Sequence, residues 1–362
     1  MRINFILPHL KVSGGVRVLL IYADLLAKKG HGVKIIVQSR NWLRRKAANF
    51  LNFKPAWMRN LRIKILRVAG LDEVNLPAGD IIVVSDWKSA LKAAEFSEEF
   101  GKKFHLIQHD ERMYHGERGQ VDTAFRLPFK KIAVSSWLKE MIEREYGQSA
   151  ELLLNSVDRN LFHPVPFTLL DSRLRGNDNG ERKNDGGGEE IRILLLHHTY
   201  EWKGTKEGVE VVNKLKEKYP NIRLILFGAR KEKIEFVCDE YHYNLPQEKL
   251  AWLYSGCDIF LCPSWDEGFG LPSLEAMACQ CALVTYDNGG SRDYAFDGKT
   301  ALVAKRKDVR DLSKKLEELI VNPELRKTVA KNGLDYVRKM PSWEQLTDKM
   351  EEIFKKAIEK NA

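Results

Sequence analysis

Residues 258–278 read Asp258-Ile259-Phe260-Leu261-Cys262-Pro263-Ser264-Trp265-Asp266-Glu267-Gly268-Phe269-Gly270-Leu271-Pro272-Ser273-Leu274-Glu275-Ala276-Met277-Ala278. The apolar run at its start predicts a buried strand over Asp258–Cys262, and the spacing after it predicts a helix over Pro272–Gln280. Pro272 suits the first turn of a helix, where its missing amide has no partner to lose. Between strand and helix lies a loop in which Gly268 and Gly270 take away side chains that would hold a ligand off the backbone. A helix start offers free N–H groups and partial positive charge, so phosphate is the expected ligand. Glu275, expected in the first helical turn, can accept two hydrogen bonds from a ribose diol. Glu267, eight positions earlier, is placed to meet a sugar hydroxyl beyond the phosphates. Either glutamate alone is explained by a tight turn with a carboxylate near a helix dipole; the joint pattern is not.

Apolar β-branched runs alternate with helical spacing on both sides of this stretch, the pattern of parallel sheets covered by helices. In the first half, strands are expected near Arg2–Leu7, Val33–Gln38, Arg62–Leu66, Asp80–Ser85, Phe104–Gln108, Lys131–Ser135 and Glu151–Leu154. Helices are expected near Val16–Lys29, Trp87–Phe96 and Ser136–Tyr146. The pattern stops at residues 164–190, where runs such as Asp185-Gly186-Gly187-Gly188 have almost nothing apolar to bury, and a flexible linker or insertion is expected. It restarts at Ile191. At 362 residues the chain is long enough for two cores. The expected division is a first domain over 1–163, a second over 191–340, and a helix over 341–362 returning to the first, with Ser342 and Gln345 forming a capping box.

The charge is unevenly placed. Residues 1–166 hold 27 Lys and Arg against 17 Asp and Glu, while the remainder holds 32 against 33. No acidic residue stands between Asp24 and Asp72. Lys28, Lys29, Lys34, Arg40, Arg44, Arg45, Lys46, Lys54, Arg59, Arg62, Lys64 and Arg67 fill that interval, interleaved with Trp42, Phe50, Phe53 and Trp57. Such a segment suits an anionic membrane surface, where each basic residue contributes on the order of 1 kcal/mol. A solvated basic face with its aromatics in the core explains it as well. Nucleic acid is not expected as a partner, because no recognised binding motif accompanies the charge. No run approaches the roughly 20 apolar residues of a membrane span. The N-terminus suits a first buried strand better than a signal peptide, so a cytoplasmic protein, peripheral at most on the inner membrane face, is expected. Cys238, Cys257, Cys262, Cys279 and Cys281 have neither zinc spacing nor a disulfide framework and are expected as reduced core thiols.

The segment Glu267 to Glu275 resembles the double-glutamate signature of the group 1 glycosyltransferases, family 4, with the GT-B fold. Gly14-Gly15, Gly30-His31-Gly32-Val33, Ala133-Val134-Ser135-Ser136, Asn155-Ser156-Val157-Asp158 and Gly289-Gly290 resemble further family features in the same order. The resemblance implies an α/β protein of two Rossmann-like domains facing across a cleft. It implies that Glu275 binds the donor ribose, that Glu267 contacts the transferred sugar, and that Gly268, Phe269, Gly270 and Leu271 present amides to phosphate and sugar. Lys203, in Trp202-Lys203-Gly204, matches the lysine that neutralises the leaving diphosphate. Gly14 and Gly15 belong to the donor-binding set, and His109 resembles the acceptor-side histidine near the donor sugar. The family's usual arginine is replaced by His197, followed by His198, which makes that second clamp weaker and pH-sensitive; packing histidines explain the pair as well. Asp110 and Glu111 are candidates for acceptor hydroxyls. No Asp-x-Asp motif stands at a strand end, and neither metal nor cofactor is expected. The implied reaction is retaining, metal-independent hexosyl transfer from a nucleotide sugar to a lipid-linked or cell-surface polysaccharide acceptor. The rival is a GT-B-shaped nucleotide- or glycan-binding protein that has lost turnover.

Overall fold

A computed structural model describes residues 1–11, 13–39, 41–55, 61–114, 116–166, 190–229 and 236–359, without the Arg44 side chain. The chain forms two compact units, one of residues 1–155 with 341–362 and one of residues 156–340. Residues 156–163, counted with the first domain on sequence grounds, therefore cluster with the second. Most of the expected linker, 167–189, lies outside the described residues, as do Arg40, Trp57 and Arg59.

The first unit holds β1 (Arg2–Leu7), β2 (Gly32–Gln38), β3 (Lys64–Val68), β4 (Ile81–Val84), β5 (Lys102–Ile107), β6 (Lys130–Ala133) and β7 (Ala150–Leu152) in one sheet. Its order is β3-β2-β1-β4-β5-β6-β7, with every pair parallel. Five of the six residues of β1 are buried, as expected of a central strand covered by helices on both faces. The strand order reverses between β1 and β4, so any crevice in this unit opens at their carboxyl ends. The helices are α1 (Gly14–Lys28), α2 (Trp42–Phe50), α3 (Trp87–Ala94), α4 (Arg118–Arg126) and α5 (Ser136–Tyr146). Neither α2 nor α4 is among the helices expected from periodicity.

The second unit holds β8 (Ile191–Leu196), β9 (Ile222–Gly228), β10 (Glu240–Tyr243), β11 (Ile259–Cys262), β12 (Ala282–Tyr286) and β13 (Leu302–Ala304), in the order β10-β9-β8-β11-β12-β13 and again all parallel. The reversal here falls between β8 and β11, which brings the loops after those two strands together. Helices α6 (Thr205–Lys218), α7 (Gln247–Ser255), α8 (Leu271–Ala278), α9 (Val309–Val321) and α10 (Pro323–Lys339) complete it. The core joins Ile193, Leu195, Leu224, Leu226, Ile259, Leu261 and Val284 from the strands to Val212, Leu215, Leu312, Leu316 and Val329 from the helices.

The last helix, α11 (Trp343–Glu359), belongs to the first unit. Ser342 and Gln345 exchange hydrogen bonds at its start: Ser342 N–H donates to Gln345 Oε1 at 2.9 Å, and Gln345 N–H to Ser342 Oγ at 3.3 Å. Its buried stripe runs Trp343, Leu346, Thr347, Met350, Phe354 and Ala357, the spacing of one helical face. Trp343 meets the edge of Tyr22 at 5.4 Å and Phe354 that of Phe104 at 4.7 Å. Lys29 adds ion pairs to Asp348 and Glu351. All five cysteines are free thiols, four of them buried.

Candidate active site

The turn from β11 into α8 is set by a glycine that no other residue replaces. Gly270 has φ +88°, and a Cβ there would lie 2.5 Å from the Tyr294 hydroxyl. That hydroxyl is within 2.9 Å of the carbonyls of both Phe269 and Gly270, which ties the loop down from the far side. Gly270 caps α8 and Pro272 takes its second position. Because the helix begins at Leu271, its first turn has no acidic residue, and Glu275 sits one position further in than expected. Glu275 is 3% exposed, and its carboxylate accepts from the Tyr254 hydroxyl at 3.4 Å. The adjoining Cys279 thiol is pushed up to about 12, chiefly by burial.

A second loop, after β8, runs against this turn. Gly204 has φ +64°, and a Cβ there would fall 2.1 Å from the Pro263 carbonyl oxygen. Trp265 donates its backbone N–H to the carbonyl of Trp202 at 2.8 Å. The two backbones are thus in contact on both sides of Lys203, and Lys203 Nζ reaches Glu267 Oε1 at 2.7 Å. Glu267 is held in turn: its N–H donates to Asn288 O at 2.9 Å, and a Cβ on Gly290 would come within 2.7 Å of its carbonyl oxygen. The glycine pair 289–290 therefore permits close approach to the signature loop. Arg306 clamps the neighbouring Asp266 with bonds of 2.7 and 2.8 Å, and Trp265 Nε1 donates to Glu207 at 2.9 Å. Asn288, Tyr294 and Arg306 carry no local signal, because each acts on a loop that is distant in sequence.

His197, 9% exposed, lies just past β8 with Nδ1 3.0 Å from the Tyr241 hydroxyl, and its ring meets Phe236 and Tyr241 edge-on. It lines a cavity of about 610 Å³ with His198, Tyr200, Gly204, Glu207 and Trp265. In the first unit, Gly14 and Gly15 form the first turn of α1 instead of preceding it, because Ser13 caps the helix by accepting from Val16 N. Gly15 makes room for Gln108, which donates to its carbonyl at 3.2 Å. His109 follows β5, with Nδ1 3.0 Å from the Asp110 carbonyl and its ring 6.0 Å from Tyr114. Asp110 is bound by Arg112, which also reaches Glu145.

Glu111 accepts from the backbone N–H of Trp87 at 2.9 Å. Burial, with the charge of Asp86 beside it, raises its carboxyl from 4.5 to about 8. The folded state thus holds a proton that the unfolded chain has lost, so this group's contribution declines as pH rises from about 4.5 and is gone above about 8. Glu111→Gln is expected to flatten the stability profile across that window, read by urea denaturation at successive pH values. An unchanged slope would exclude Glu111 as its source.

Two all-parallel, doubly wound α/β units of this kind define a GT-B glycosyltransferase fold. The match to solved structures extends over the chain: sucrose-phosphate synthase of Thermosynechococcus elongatus superposes with TM-score 0.77 at 16% identity, covering 98% of each chain. Anabaena HepE, solved with UDP and glucose, superposes with TM-score 0.76 at 15% identity, covering 98% of this chain and 100% of that one. Residues 178–336 match the family described as glycosyl transferases group 1, and the second unit belongs to it. An uncharacterized glycosyltransferase of Methanocaldococcus jannaschii is 34% identical over 148 residues, 39% of this chain and 42% of the relative. The N,N'-diacetylbacillosaminyl-diphospho-undecaprenol alpha-1,3-N-acetylgalactosaminyltransferase of Campylobacter jejuni is 34% identical over 147 residues, 39% of this chain and 38% of the relative. The chain thus spans about two fifths of the length of these curated relatives.

Proposed function

We propose that the chain is a retaining glycosyltransferase that moves a hexosyl group from a nucleotide sugar to a lipid-linked or cell-surface polysaccharide acceptor, without a metal ion, on the cytoplasmic side of the membrane. The observation that carries this is the 2.7 Å pair of Lys203 and Glu267, held beside the glycine-capped start of α8. An entering diphosphate would take the Lys203 ammonium from Glu267, leaving that carboxylate to accept from sugar hydroxyls. The α8 amides and the ammonium then face the charge that grows on the leaving diphosphate, so they stabilise the transition state more than the ground state. In retention, the acceptor oxygen bonds the anomeric carbon on the side where the diphosphate departs, and its proton passes to a departing phosphate oxygen. Glu275 would bind the ribose, and His109, Gly14 and Gly15 would serve the sugar from the first unit. The relative from Campylobacter, by its name, acts on an undecaprenol-linked acceptor, which supports the same acceptor class here.

Titrating UDP, GDP and ADP and their sugars against thermal stability is the direct test. One base series is expected to stabilise by about 2.7 kcal/mol at 100 times its dissociation constant. Transfer or hydrolysis by the same donor is expected to persist in EDTA and to be lost in Glu275→Ala. The engagement of His197 by Tyr241 favours a second reading, a nucleotide-binding protein without turnover; binding with no turnover across the donor panel would establish it.

A further inference from the structure

Helix α2 is built inside out. Its outward residues are Trp42, Leu43, Lys46, Ala47 and Phe50, whereas Arg45, Ala48 and Asn49 are half-buried. Phe50 is 90% exposed, Leu43 61% and Trp42 55%, and the chain beyond the helix adds Leu51 at 70% and Phe53 at 55%. These five lie within twelve positions of one another. An ordinary surface helix turns such residues inward.

The polar side chains of α2 hold it in this orientation. Asn49 donates to the Arg67 carbonyl and accepts from the Arg67 N–H, both at 2.9 Å. Those backbone groups belong to β3, the edge strand of the sheet, which is therefore covered by a side chain instead of another strand. Arg45 donates to Ser39 O at 2.8 Å, and Arg67 donates to Phe53 O at 2.7 Å. The ridge stands on fixed polar supports and needs no rearrangement to meet a partner.

Along the sequence that carries the ridge the charge is of one sign. Lys46 lies over the Trp42 ring, Arg67 over that of Phe53, and Lys54 and Arg62 follow, inside the interval from Asp24 to Asp72 that contains no acidic residue. We infer that this ridge inserts into the interfacial layer of an anionic lipid bilayer, with the leucines and aromatics entering the headgroup boundary and the basic rim on the lipid phosphates. Two leucines in the ridge favour hydrocarbon over nucleic acid, since leucine has no face on which a base can stack. A second copy of the chain docked on the same face about a two-fold axis would set the two basic rims against each other.

The test uses the full chain, without donor or acceptor, so its result is independent of the transferase proposal. Sedimentation with vesicles of phosphatidylglycerol and phosphatidylcholine in equal parts is expected to carry the protein down, and vesicles of phosphatidylcholine alone to do so much less. Phe50→Ser with Leu51→Ser is expected to weaken binding by about tenfold or more at unchanged melting temperature, since neither side chain is buried. About 1 M salt, where charge attraction is screened beyond roughly 3 Å, is expected to weaken the wild type comparably. Lys46→Glu serves as an independent variant that leaves the apolar ridge intact, and it too is expected to bind less. Absence of binding to anionic vesicles, equal binding by the serine variant, or a self-association that the serine variant abolishes would each overturn the inference.

Discussion

Lys203→Ala is expected to lower kcat/KM for sugar transfer by about a hundredfold to a thousandfold, the usual effect of removing one fixed group aimed at a developing negative charge. The Lys203 ammonium stands 2.7 Å from Glu267 on a backbone that the signature loop holds on both sides. Methionine at the same position tests the charge alone, since it keeps much of the aliphatic stem. Arginine is a poor substitute, because its planar fork does not present a compact point charge at one place. The loss is expected mainly in kcat, with a smaller loss in nucleoside diphosphate affinity. Folding is expected to lose about 1 to 3 kcal/mol, since the Glu267 side chain is only 12% exposed and would lose its cation. A rate within about threefold of wild type would remove Lys203 from the chemistry.

Gly204→Ala is expected to be the most damaging single-atom change in the second unit. At φ +64° a non-glycine residue already costs about 1 to 2 kcal/mol. Here the added methyl would also fall 2.1 Å from the Pro263 carbonyl oxygen, a backbone atom that cannot swing aside. The two loops would have to separate, carrying Lys203 away from Glu267, so transfer is expected to fall with stability. Gly298 provides the control within the same unit: its φ is +68°, but a methyl added there would meet nothing within 4 Å. Gly298→Ala is expected to show the conformational cost alone, about 1 kcal/mol, and Gly204→Ala about 3 kcal/mol or more by urea denaturation. Equal costs for the two would mean that the contact with Pro263 is compliant.

The two effects share a cause. The loops after β8 and β11 become neighbours because those strands are paired where the order of the sheet reverses. Lys203 follows β8 by seven positions and Glu267 follows β11 by five, so both stand at one end of the sheet. The clamp of Arg306 on Asp266 and the Tyr294 hydroxyl under Gly270 hold the second loop from two further directions. A ligand with separated negative charges would meet a lysine and a helix start whose positions are already set, which reduces the ordering needed on binding.

The stretch from Asp258 to Ala278 is legible from local pattern alone, because a short apolar run, a glycine loop and an N-terminal proline each act on their own neighbours in the chain. The same holds for most of the strands and for the capping box at Ser342. Boundaries are less so: β3 runs Lys64–Val68 instead of Arg62–Leu66, since strand ends depend on the register set by the adjoining strand. Spacing places Glu275 one position too early for a similar reason, as the helix begins where Gly270 can adopt a positive φ.

Local pattern says nothing of partners far apart in the chain. That Lys203 meets Glu267 across 64 positions, that Gly204 rests on Pro263, and that Asn288 and Arg306 fasten the signature loop follow only from how the second sheet closes. Composition likewise discloses the basic, aromatic-rich interval between Asp24 and Asp72 but leaves open whether its apolar residues face the core. The edge of β3 answers that: its open backbone groups bind Asn49, and the apolar face of α2 is thereby turned to the outside. Sequence neighbours determine which elements form and where a glycine or proline is required; hydrogen bonds between distant segments determine which side chains those elements bring together.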